Sequence, residues 1–404
     1  VKILHISTYD RGGAAIAAIR LHEGLLNGGI ASKILFLHNS KKNVDEGYSF
    51  KRKRPSFLSR KLGYLGLNDT TKKKLKREIQ SKSANYDYVS IPYSSYDINT
   101  SDLVKDADII NLHWVSQFLD WRSFFYKNEK PIVWTMHDMN PILGVFHYEG
   151  DKEKNKTTLG KLDNKIIAEK THILKSIGKK FEIVAPSKWL QREVEQSSIF
   201  SGWKVRHIPY GVNENLFKPF DKNILKELLG IPIDKRIVLF VSEDLKSRRK
   251  GMDLLLDALE TIDKSKLHII AVGGHTKTEK LNGIHYTGYI QNIEYMRLIY
   301  AVADVFVIPA REDNLPNTVL ESMSCGTPVV GFGVGGIPDM IIHGETGLLA
   351  EPENSKDLGQ KIYQLINEKE LGVKMGQQAR QLVLQRYTLD KQAQNYIDFY
   401  QYMI

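Results

Sequence analysis

The residues best suited to chemistry lie in one stretch, Ala310-Arg311-Glu312-Asp313-Asn314-Leu315-Pro316-Asn317-Thr318-Val319-Leu320-Glu321. Asn314 or Asn317 can cap a helix here, Pro316 suits its entry, and Gly326 can end it. Asp313 then sits on a loop and Glu321 about one turn into the helix. One carboxylate can hold the hydroxyls of a sugar and the other those of a ribose. The N–H groups between them, on Asn314, Leu315, Asn317 and Thr318, can meet a phosphate. A second cluster, Arg248-Arg249-Lys250-Gly251, follows an apolar run. Cations between the carboxyl end of a strand and the start of a helix can face a diphosphate. A third candidate is the pair Gly12-Gly13, which lets a ligand approach the backbone at a helix start.

Several other chemistries are not supported. The Gly-Gly turn is not a G-x-G-x-x-G fingerprint, and no P-loop is present. Asp106-Ala107-Asp108 spells a metal-binding string, but it precedes a strand and so falls on the amino edge of a sheet. No Ser–His–Asp or zinc-like spacing stands in a supporting frame. The single cysteine, Cys325, forbids an internal disulfide and fits a reducing, cytoplasmic setting.

Positioning these residues requires strands with helices between them. Apolar runs at Lys2–Ser7, Ser32–Leu37, Ala107–His113, Pro131–His137, Glu182–Pro186 and Lys204–Pro209 read as one series. Arg236–Ser242, Leu267–Gly273, Ile284–Gly288, Asp304–Pro309, Thr327–Gly331 and Gly347–Ala350 read as a second. Two such series across 404 residues predict an α/β protein of two Rossmann-like domains. The expected division is 1–208, a linker at 209–220, and 221–388, with a terminal helix at 389–404 packing back on the first domain.

The charge is localised. Residues 41–82 hold fourteen Lys and Arg against four Asp and Glu, an excess equal to the whole chain's +10. Lys51-Arg52-Lys53-Arg54 and Lys72-Lys73-Lys74-Leu75-Lys76-Arg77, with leucines and aromatics among them, could lie on an anionic membrane surface. A solvated helix or loop is the plainer alternative. No stacking-aromatic or zinc pattern accompanies the charge, so nucleic acid is not the expected partner.

Taken together, Gly12-Gly13, Asn111-Leu112-His113-Trp114, Trp134-Thr135-Met136-His137-Asp138-Met139, Ala185-Pro186-Ser187, Ile208-Pro209-Tyr210-Gly211-Val212, Arg249-Lys250-Gly251, the carboxylate pair, Gly335-Gly336-Ile337-Pro338 and Gly344-Glu345-Thr346-Gly347-Leu348-Leu349 resemble the retaining glycosyltransferase family 4 (group 1). The likeness is to its bacterial surface-polysaccharide, colanic-acid-type branch and covers nearly the full length. It implies a GT-B fold with the two domains facing a cleft. Lys250 would hold the donor diphosphate, Glu321 the ribose, and Asp313 and His137 the transferred sugar, with His113 and Trp114 near the acceptor. Three positions depart from the family. Asp313 stands where Glu is usual, Asp244 where many members carry Arg, and Pro316 where Gly is usual. One phosphate contact is then either missing or supplied by Arg248 or Arg249.

The expected function is transfer of a hexose or hexosamine from a UDP- or GDP-linked sugar to a growing bacterial glycan, with retention and without a metal. A lipid-linked acceptor would place the protein in the cytoplasm or peripherally on the inner face of the cell membrane. The alternatives are a catalytically silent nucleotide-sugar or glycan-binding protein and, more remotely, an isomerase or epimerase on the same scaffold.

Overall fold

A computed structural model describes residues 1–40, 44–51, 71–175, 181–274 and 283–403. The chain forms two compact units. One comprises Val1–Pro186, Leu190–Ile208 and Gln394–Ile404; the other comprises Ser187–Trp189 and Pro209–Ala393.

The first unit is built on a seven-stranded parallel sheet. Its strands are β1 (Lys2–Tyr9), β2 (Ala31–His38), β3 (Gly47–Ser49), β4 (Ile109–Leu112), β5 (Ile132–Thr135), β6 (Phe181–Ala185) and β7 (Val205–His207), in the order β3-β2-β1-β4-β5-β6-β7. The second unit holds β8 (Arg236–Asp244), β9 (Leu267–Gly274), β10 (Ile284–Gly288), β11 (Val305–Ile308), β12 (Val329–Phe332) and β13 (Gly347–Ala350), in the order β10-β9-β8-β11-β12-β13. Both sheets are doubly wound and Rossmann-like. Every residue of β4, β5, β11 and β12 is buried, as expected for parallel strands covered on both faces.

All twelve strands read from the sequence are present. The thirteenth, β3, is an edge strand paired with Ile34–Phe36. At three residues it is too short to show an alternating pattern.

Strand order fixes where chemistry can occur. It reverses between β1 and β4, and again between β8 and β11, and ligands of such sheets bind outside the carboxyl ends at these switch points. The loop holding Gly12-Gly13 leaves β1, and His113-Trp114 leaves β4. The basic turn at 248–250 leaves β8, and the loop holding Asp313 leaves β11. The Asp106–Asp108 string lies at the opposite edge. There Asp106 pairs with Lys2 Nζ at 2.6 Å, and Asp108 accepts the Lys2 backbone N–H at 2.8 Å.

In the first unit Ile3, Leu21, Leu25, Ile109 and Val133 pack with Tyr396, Phe399 and Tyr400 of the terminal helix Leu389–Met403. Two polar contacts hold that helix in register. Asn111 Nδ2 donates to Tyr400 Oη at 2.7 Å, and Thr135 Oγ1 lies 2.8 Å from Tyr396 Oη.

About half of the basic segment at 41–82, residues 41–43 and 52–70, lies outside the described residues. Its helix Thr71–Gln80 buries Leu75 and Ile79 and exposes Lys73, Lys74, Lys76 and Arg77, while Lys72 Nζ sits over the Tyr96 ring. Among the described residues no helix is long and apolar enough to cross a membrane.

Candidate active site

In the second unit the loops after β8 and β11 are laced together. Arg248–Lys250 forms a single 3₁₀ turn closed by Gly251, which has φ 73° and leads into the helix Met252–Leu259. A Cβ at Gly251 would overlap the Pro309 carbonyl, so only glycine lets the basic turn lie against the end of β11. Backbone Arg311 N–H donates to Arg249 O at 2.8 Å, and Arg249 Nη1 donates to Glu312 O at 2.9 Å. Arg311 Nη1 reaches Arg248 O at 2.6 Å, while its guanidinium is clamped between Asp253 and Glu353.

The centre of this lacing is an ion pair. Lys250 Nζ donates to Asp313 Oδ2 at 2.6 Å, with side chains 23% and 9% exposed, and Arg249 Nη1 stands 3.7 Å from the same oxygen. Burial pushes the Asp313 carboxyl up, but Lys250 and Arg249 outweigh it and hold the group below the usual carboxylate range. Burial lowers Lys250, opposed by Asp313 and assisted by Arg249. The cluster is therefore one carboxylate with two cations, a surplus of positive charge at the switch point. Arg249 is the second cation beside Lys250, whereas Arg248 is exposed. Asp244 is also exposed and accepts the Lys246 backbone N–H at 2.9 Å.

The Asp313 loop is packed from behind by Gly335 and Gly336. Gly335 has φ 56°, a Cβ on it would overlap the Asp313 carbonyl, and one on Gly336 would overlap the Asn314 carbonyl. Gly336 N–H donates to Asp313 O at 3.0 Å, and Ser187 Oγ donates to Asn314 Oδ1 at 2.6 Å.

The helix Asn317–Ser324 differs from the sequence reading at its start. Pro316 is the N-cap, and no side chain caps the helix. The Asn314 side chain is turned to Ser187, and Asn317 is the first helical residue. Leu315, Asn317 and Glu321 are buried, Thr318 is partly exposed, and the helix ends at Cys325 with Gly326 at φ 73°.

In the first unit, Gly12 with φ 84° caps the helix Gly13–Asn27 through its backbone, and its carbonyl accepts the Ile16 N–H at 3.0 Å. Three histidines from neighbouring strands form a buried row. His5 Nδ1 is 2.8 Å from His113 Nε2, and His113 Nδ1 is 2.9 Å from His137 Nε2. Burial pushes His137 down to about 4, against the pull of Asp138, so its ring is neutral at neutral pH.

Trp114 is half-buried, and its Nε1–H donates to Asp138 Oδ2 at 2.7 Å. The same oxygen is 2.6 Å from His147 Nδ1, whose Nε2 is 2.6 Å from Ser90 Oγ. This serine, histidine and aspartate stand at hydrogen-bonding distances familiar from hydrolases, yet Ser90 is 5% exposed. Their effect is to hold Trp114 and Asp138 beside His137. Sequence reasoning missed His5, Ser90 and His147, because none lies in a run with a recognisable spacing. Arg311 and Ser187 stand inside recognisable runs, but their partners lie 58 and 127 residues away in sequence. The cavity bordered by His113, Trp114, His137 and Asp138 has a volume of 20 Å³, room for a water molecule rather than a sugar.

Residues 235–368 match the family described as Glycosyl transferases group 1. A D-inositol 3-phosphate glycosyltransferase of Streptosporangium roseum is 25% identical over 287 residues, covering 64% of this chain and 61% of that protein. The chain thus spans under two thirds of that relative's length. Sucrose-phosphate synthase from Thermosynechococcus elongatus superposes with a TM-score of 0.72 at 19% identity, covering 100% of this chain and 98% of the other. Anabaena HepE in complex with UDP and glucose superposes with a TM-score of 0.68 at 17% identity, covering 99% of each chain. Residues 235–368 are thus similar to the group 1 glycosyltransferases, and the two Rossmann-like domains match the fold of GT-B structures. The Lys250–Asp313 cluster lies inside the matched domain.

Proposed function

We propose that this protein transfers a hexose or hexosamine from a UDP- or GDP-linked sugar to a glycan acceptor, with retention and without a metal. The observation that carries the reading is the two-cation, one-carboxylate cluster of Lys250, Arg249 and Asp313 at the switch point of the matched domain. A departing diphosphate needs its growing negative charge neutralised. Lys250 and Arg249 supply fixed positive charge in a largely dehydrated setting, which is the role a divalent ion takes elsewhere.

Glu321 binds the ribose hydroxyls, and N–H groups around the start of its helix meet phosphate. In the second unit Asp313 faces the transferred sugar. In the first unit His137 meets a sugar hydroxyl, and His113 and Trp114 border the acceptor. The anomeric carbon–oxygen bond to the diphosphate breaks as the acceptor oxygen bonds to the same face. The acceptor's proton leaves with the diphosphate. A lipid-linked acceptor would give the basic segment at 41–82 a membrane surface to rest on.

The silent-binder reading has one observation in its favour: Asp313, shorter than the family's Glu, is already paired to Lys250. A panel of UDP- and GDP-sugars, followed by NMR with EDTA present, separates the two readings. Slow release of nucleoside diphosphate and a product of unchanged anomeric configuration support transfer. Binding without any turnover supports the silent protein, and activity restored only by Mn²⁺ or Mg²⁺ contradicts the metal-free mechanism.

A further inference from the structure

The buried histidine row contains more information than its distances. His5 lies on β1, His113 just beyond β4 and His137 just beyond β5, three adjacent strands of one sheet. His5 is paired with Asn111, and Asn111 with Val133. The row therefore steps up by two residues from each strand to the next, and all three positions keep to one face. The three residues are 0%, 2% and 8% exposed. Burial pushes His5 and His113 well below their ordinary value and His137 to about 4, so all three are neutral at neutral pH.

A neutral imidazole has one N–H and one lone pair. Two nitrogen–nitrogen contacts among three such rings use two N–H groups, and the third must stand at one end of the row. It is either at His5 Nε2 or at His137 Nδ1. His5 Nε2 is sealed from solvent and has no hydrogen-bond partner. Neighbouring His22 cannot serve it. The ring centroids are 5.9 Å apart, and the His22 nitrogens are taken by Ser32 Oγ and Asp45 O, each at 2.7 Å. A buried N–H without an acceptor is the rarer and costlier of the two defects.

We propose that His5, acting through His113, is a positioning residue that holds His137 as its Nδ1–H tautomer. His5 Nδ1–H donates to His113 Nε2, and His113 Nδ1–H donates to His137 Nε2. His137 Nδ1 is left bearing a proton whatever the solution composition near neutrality. That atom offers a donor, not a lone pair, to an oxygen acceptor such as a sugar hydroxyl oxygen or a carbonyl. This rests on the reading above in which His137 meets the transferred sugar, but the tautomer itself does not depend on it.

The test is long-range ¹⁵N–¹H correlation of ¹⁵N-histidine-labelled full-length protein at neutral pH, with resonances assigned by single substitutions. The expected result is the Nδ1–H tautomer for His5, His113 and His137 alike. An Nε2–H form at His137 with an Nε2–H at His5 overturns the proposal. His5→Phe, which keeps a ring but no donor, should let the Nε2–H form of His137 appear, while His5→Asn should preserve Nδ1–H. A His137 spectrum unchanged in His5→Phe also overturns it. Should His5→Phe fail to fold, the wild-type spectrum still decides. Turnover should fall in His5→Phe by about three- to tenfold, the scale of one neutral hydrogen bond, and recover in His5→Asn. A His137→Gln variant with full turnover would count against His137 in the reaction and leave the tautomer result intact.

Discussion

Removing the Lys250 charge should destabilise the second unit through the carboxylate it leaves behind. Breaking a fully buried ion pair from one side costs about 3–5 kcal/mol. Here Asp313 keeps Arg249 at 3.7 Å and the Asn314 N–H at 3.0 Å, and Lys250 is 23% exposed. The expected cost of Lys250→Met is therefore lower, about 2 kcal/mol. Asp313→Asn should cost about 1 kcal/mol, since Lys250 can turn part of its charge to water. The double variant should cost less than the two singles together by about 1–2 kcal/mol, the coupling of a contact pair. Native-state hydrogen exchange read on peptides from β8 and β11 gives the opening free energies. The pH dependence has a fixed sign. Asp313 is held below its ordinary value in the fold, so its stabilisation is present above the unfolded carboxylate range. It is lost as pH falls through the folded value. The coupling should fade in acid with it. Additive single effects at neutral pH, or a coupling that persists in strong acid, would refute the pairing.

Gly251→Ala should lower the melting temperature in calorimetry, because the left-handed backbone alone costs about 1–2 kcal/mol and the new Cβ meets the Pro309 carbonyl; an unchanged melt counts against the close approach. Acidification should destabilise the first unit. His137 falls to about 4 in the fold, so the stability of its neutral form is complete above the unfolded histidine value and is lost as pH drops towards 4, about 3 kcal/mol in all. Urea midpoints at pH 7 and 4.5 should differ less in His137→Gln than in the wild type. Glu321→Ala should weaken UDP or GDP binding in calorimetry by about 1.5–3 kcal/mol, the scale for hydrogen bonds to a charged group, and equal affinity removes Glu321 from the site. Replacing Lys73, Lys74, Lys76 and Arg77, all exposed, by Gln should reduce sedimentation with phosphatidylglycerol vesicles at low salt. Undiminished binding would mark these residues as an ordinary solvated helix face.

The architecture was legible because the long strands are rich in apolar residues, and among the described strands only the three-residue β3 escaped. The Glu321 helix was legible for a different reason: Pro316 and Gly326 bracket it. The cap was misplaced, since a side chain that could cap, Asn314, instead meets Ser187, a partner 127 residues away in sequence. Nor could the pairing of Lys250 with Asp313 be read in advance. It depends on β8 lying next to β11, which periodicity does not specify. The histidine row is the extreme case. Each ring ends or occupies a separate strand, and only the strand order brings the three into line.

The central claim is that the matched domain cleaves a nucleotide sugar with Lys250 neutralising the leaving diphosphate. The direct measurement is turnover of the best nucleotide-sugar donor by wild type and by Lys250→Met, with folding of the variant verified by circular dichroism. The expected result is a fall in kcat of about 100-fold or more, as for loss of one group that stabilises transition-state charge. Turnover by the variant within about twofold of wild type, a barrier change of about 0.4 kcal/mol, would contradict it.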